Sequence, residues 1–122
     1  MRIVLAILMT LHAVAHLVSF IEAWRLIPQG FPYKTTVLSG HLDLGDVGIR
    51  AVGVVWLVVA GGFLLAAIGA FAASTWWVPT ALGVAVSSLL LTSTELPDAR
   101  GGVAINVAIV VAVVAARQVG WV

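Results

Sequence analysis

The chain contains no cysteine, which removes disulfides, thiolate metal sites and cysteine nucleophiles. It is also poor in charge. Only 9% of its 122 residues are charged, six Lys or Arg against five Asp or Glu, where soluble domains carry about 25%. The net charge of +1 is by itself uninformative about nucleic acid, but no basic run supports such a partner, and none is expected. There is no Gly-rich phosphate loop, nucleophile elbow or HExxH sequence, so no standard catalytic motif points to an enzyme, although none of this excludes one.

What is there is apolar, at 62% of the chain. A helix needs about 20 consecutive apolar residues to cross a hydrocarbon layer of about 30 Å. Four runs approach that length, and they predict an all-α bundle of four transmembrane helices at about residues 3–24, 47–73, 76–92 and 102–118, forming one integral membrane domain. None of the runs alternates as a barrel strand does, and helices satisfy their own backbone in lipid. Arg2 ahead of an apolar run invites a signal peptide, but Glu22, Trp24 and Arg25 stand where a small-residue cleavage site belongs. The first helix is therefore expected to stay.

The connections differ in kind. Ala73, Ser74 and Thr75 lead straight into Trp76 and Trp77, which predicts a tight turn with an aromatic pair at headgroup level. Pro79 suits a first helical turn. The first connection, Arg25 to Asp46, is expected to be a long loop, opened by Pro28, Gly30 and Pro32 and anchored at the interface by Phe31 and Tyr33. The third, STELPDARGG, is short and polar. Four crossings place the first and third connections on one side. All five acids (Glu22, Asp43, Asp46, Glu95 and Asp98) then gather at one end with Arg25, Lys34, Arg50, Arg100 and His41, while the other end keeps Arg2 and Arg117. Longer loops alone would collect such residues. Glu22, Arg50 and Asn106, however, lie about one turn inside their helices, where polar groups face the bundle interior and need partners.

His12 and His16 are four residues apart and so share one helical face, with Ser19 continuing the stripe. Two readings stand side by side. The imidazoles bind an ion, a proton or a ligand, or they are hydrogen-bonded across helices to Ser87, Ser88 or Thr92 as packing contacts. A divalent metal such as zinc needs three or four ligands, which His41, Asp43 or Asp46, or else Glu95 and Asp98, would have to complete. A haem fits less well, because two histidines on one helical face cannot occupy opposite axial positions. Asp46 and Arg50 are spaced as a helical ion pair, with Asp46 as N-cap, and Asp98 is placed to cap the fourth helix. Gly53, Gly61, Gly62, Gly69 and Gly83, with Ser87, predict close helix approach. The expected ligand-binding set is His12, His16, Glu22, Arg50, Glu95, Asp98 and Asn106.

The stretches LHAVAHL, PYKTT, LDLGDVGIR and PDAR resemble a group of small bacterial four-helix integral membrane proteins without established function, some labelled as transporter permeases. That resemblance implies a multi-pass inner-membrane protein and assigns no catalytic residues. Small multidrug transporters are similar in length and helix number, but they carry a carboxylate inside the first helix where this chain has His12 and His16, and their loops are short. The expected function is an ion- or ligand-binding pocket at the polar end in a transport-like or regulatory role; an accessory subunit of a larger membrane complex, or a membrane enzyme acting on a lipid, are the alternatives. The expected partners are the lipid bilayer, further copies of the chain or a larger complex. Arg25, Lys34 and Arg100, with Arg50 close by, outnumber Arg2 and Arg117, which favours a cytoplasmic polar end.

Overall fold

Each apolar run becomes one helix. In the computed structural model, which describes residues 1–27 and 32–122, α1 is Arg2–Ala23, α2 is Gly45–Phe71, α3 is Trp77–Thr94 and α4 is Arg100–Gln118. All four are long and apolar enough to cross a membrane, as a multi-pass membrane protein requires. Consecutive helices are neighbours: α1 packs on α2, α2 on α3, α3 on α4, and α4 returns to α1. At 1.5 Å per residue, α3 spans only about 27 Å and α2 about 40 Å, so the ends of α2 reach beyond the hydrocarbon.

The core is narrow because its residues are small. Ala6, Ala13, Ala60, Ala66, Ala81 and Ala85 are fully buried around Leu5, Met9, Phe63, Ile109 and Val113, and such small side chains let helix backbones come close. Two glycines mark the closest approaches. A Cβ on Gly53 would lie 2.8 Å from that of Ala23 on α1, and one on Gly62 would lie 2.6 Å from Val84 on α3. Gly61 and Gly83 meet nothing within 4 Å, so two of the expected contact glycines face outward. The expected Trp pair also divides, since Trp76 is exposed and packs its ring against Gly69 while Trp77 is buried in the core.

The first connection departs from the expected long loop. Its described part folds into a small hairpin, with β1 (Thr36–Val37) antiparallel to β2 (Leu42–Asp43) in the register Thr36↔Asp43 and Val37↔Leu42. Leu38, Ser39 and Gly40 make the turn with positive φ. The chain is held because the hairpin has something to lie on: Leu38 N–H donates to Thr94 O at 2.6 Å, Ser39 Oγ to Leu96 O at 2.8 Å, and Val37 is buried beside Ala23 and Ile49. The expectations for Pro28, Gly30 and Phe31 lie outside the described residues.

Candidate functional site

The buried stripe of α1, Leu5, Met9, His12, Ala13 and His16, carries both imidazoles into the middle of the bundle, where each is 3% exposed. They do not share a partner. His16 Nε2 is 2.7 Å from Ser88 Oγ on α3, and His12 Nε2 is 3.1 Å from Asn106 Oδ1 on α4. The two rings meet edge to face at 4.4 Å, with Phe63 5.0 Å from His12 and Trp56 5.0 Å from His16. Because an amide oxygen only accepts, His12 donates through Nε2–H and keeps Nδ1 as an acceptor. That Nδ1 and the Asn106 Nδ2 are buried without a hydrogen-bond partner among the described residues. The packing reading of the histidines thus has its interhelical bonds. Ser87, by contrast, is exposed and donates to its own Gly83 O, and Thr92 donates to Ser88 O.

The metal set does not assemble. Among the described residues no group of three or more His, Cys, Asp or Glu is placed to hold an ion. His41 sits exposed beside the hairpin turn, Asp43 accepts from Gly45 N–H at 2.9 Å, and Asp46 accepts from the Tyr33 hydroxyl and lies 3.7 Å from Arg25. The hairpin carries His41 and Asp43 outward, away from the buried pair.

Two further expectations change. Arg50 is exposed and forms no ion pair with Asp46 among the described residues; its guanidinium lies 5.9 Å from the Trp24 ring and its carbonyl accepts from the Trp24 indole N–H. Arg50 is the sixth residue of α2, a helix about 10 Å longer than the hydrocarbon is thick, so its long side chain can reach the interface and needs no buried partner. The caps also move. Leu44 and Ala99 occupy the N-cap positions of α2 and α4 without side-chain hydrogen bonds. Asp46 stays in the first turn of α2, where its charge suits the helix dipole, and Asp98 is drawn away by Lys34.

Lys34 organises the mouth of the bundle. Its Nζ donates to Asp98 Oδ2 at 2.8 Å and lies 3.2 Å from Glu95 Oε2. The hydrogen bond from Lys34 holds the Asp98 carboxyl below its usual range, and the same bond raises the Lys34 ammonium. Beneath this clamp lies a cavity of about 350 Å³, lined by Ser19, Glu22 and Ala23 of α1, Pro32, Tyr33 and Lys34 of the first connection, Ile49, Val52 and Trp56 of α2, and Glu95, Asp98 and Ala99 beyond α3. Trp56 forms part of its wall and also packs on His16, so the cavity and the histidine pair are adjacent layers.

Of the expected ligand set, Glu22, Glu95 and Asp98 come together in this cavity. His12, His16 and Asn106 form the layer below, and Arg50 belongs to neither. The residues missed were Lys34, Tyr33 and Trp56. Trp56 had a readable signal, a tryptophan in the body of a helix and not at its interfacial end; Lys34 was readable only as one of the charges at the polar end, since its acidic partners are some 60 positions away in sequence. Compared with protein-family models, curated proteins and solved structures, the chain matches none.

Proposed function

We propose that this is a membrane protein that binds a small ligand in the cavity at its polar end, in a transport-like or regulatory role. The observation that carries this reading is the cavity itself. Its size lies in the range of about 300 to 1,000 Å³ common to small-molecule sites, and it combines apolar walls with a few convergent charged groups, as such sites do. Its position beside the buried histidine layer supports a role in which binding is felt inside the bundle. With Arg50 exposed, the basic residues at this end outnumber Arg2 and Arg117, and the positive-inside rule assigns the cavity to the cytoplasmic face.

A second reading, docking of this end against a larger membrane complex, rests on Leu38 and Leu42, which are 47% and 46% exposed at the hairpin. Native mass spectrometry of untagged protein released from lipid nanodiscs separates the two. A retained small molecule that disappears from Val52→Trp, which fills the cavity, is the expected result. A stoichiometric protein partner that survives this substitution and is lost from Leu38→Ser/Leu42→Ser supports docking instead.

A further inference from the structure

We infer that the ligand of the cavity is a small organic cation with an apolar body, an inference that rests on the cavity being a ligand site. The charges around it are unequal. Glu22, Glu95 and Asp98 face a single cation, Lys34, and Lys34 already lies within 3.2 Å of two of the three carboxylates. An anion entering here would have to displace those carboxylates from Lys34 and then sit among them. Glu22 has no ion pair of its own among the described residues. It stands on α1 and lines the same cavity as the Lys34 clamp, a carboxyl group free to pair with an incoming cation.

The walls narrow the chemistry further. A bare divalent metal lacks a coordination set, since no three His, Asp or Glu side chains among the described residues converge on one point. A small hydrated ion would make no use of Ile49, Val52, Ala23 and Trp56, which supply the apolar lining. An ammonium group attached to an aromatic or aliphatic body uses both halves of the site. Its charge is met by Glu22 and by the electron-rich indole of Trp56, and its body displaces water from the apolar wall. Arg25 already lies 3.6 Å from the centroid of the Tyr33 ring, so Trp56 is the aromatic group left for the ligand.

The test uses three water-soluble probes of similar size, benzyltrimethylammonium, benzyl alcohol and benzoate, titrated calorimetrically into protein in lipid nanodiscs with empty discs subtracted. The expected result is binding of benzyltrimethylammonium at least about tenfold tighter than of either other probe. Glu22→Gln should erase that preference while its melting temperature stays near wild type, and Val52→Trp should abolish binding of all three. Equal or tighter binding of benzyl alcohol or benzoate overturns the cation inference and leaves the cavity a ligand site. Benzyltrimethylammonium binding that persists unchanged in Glu22→Gln overturns it as well. If no probe binds the wild-type protein above empty discs, both the inference and the reading beneath it fall.

Discussion

Ser88 and Asn106 answer the same need in different ways. A serine hydroxyl that loses an interhelical partner can turn back to the carbonyl four residues earlier, as Ser87, Ser93 and Thr80 do here. A carboxamide in the middle of α4, among Ile105, Val107 and Ile109, has no such retreat. His12→Leu should therefore cost more stability than His16→Leu, by about 1 to 3 kcal/mol for the stranded Asn106. The double variant His12→Leu/Asn106→Leu should recover most of that loss, because replacing both partners by apolar groups leaves nothing unsatisfied. Denaturation in detergent of the wild type, both histidine variants, Asn106→Leu and the double variant checks this; a double variant as weak as the sum of its two singles would show that the pair does more than hold helices together. The histidines and Asn106 were legible one at a time, as polar residues too deep to be solvated. Their pairing was not, since helical spacing tells which residues share a face and says nothing of which face of another helix it meets.

Among the elements, α2 shows how a helix end can be tuned. It terminates on Ala73, whose φ of 55° is left-handed, with Ser74 N–H donating to Gly69 O. In helices that end on a left-handed residue this position is usually glycine, and a Cβ there costs about 1 kcal/mol. Ala73 is exposed, so Ala73→Gly should raise stability by up to about 1 kcal/mol, read as a higher melting temperature in nanodiscs; no change or a decrease would mean that the turn relaxes in the membrane. The four helices were readable to within two residues at every end, because hydrocarbon imposes length and apolarity together. The hairpin was not readable: β1 and β2 are two residues each, too short for any alternation to register, and they are held by bonds to the far end of α3.

At the scale of the whole molecule, Lys34 joins the first connection to the third. Asp98 is held below its ordinary value of 3.8, so its contribution to stability is present above that value and is lost as pH falls through the lowered one. Lys34 is raised above 10.5, so its contribution is complete below that value and is lost as pH rises through the raised one. The stability lost in Lys34→Met should accordingly be constant from about pH 5 to 9, and should shrink below pH 3.8 and above pH 10.5. Melting curves of both proteins across that range test it; a difference that grows toward acid pH would place the Lys34 contribution elsewhere. Crossing parity alone told that these charges share one end. Which of them pair could not be read, because 64 residues separate Lys34 from Asp98.

That separation also sets an order of assembly. As the chain emerges during synthesis, α1 and α2 can associate through Gly53 as soon as both are inserted, but the hairpin between them has nothing to grip until Thr94 and Leu96 have been made. The cavity wall contributed by Glu95, Asp98 and Ala99 is made with the same short stretch of chain. A nascent protein halted after α2 therefore carries Glu22 and Lys34 without the groups that complete the mouth, and the cavity takes shape only once the second pair of helices begins to close over the first.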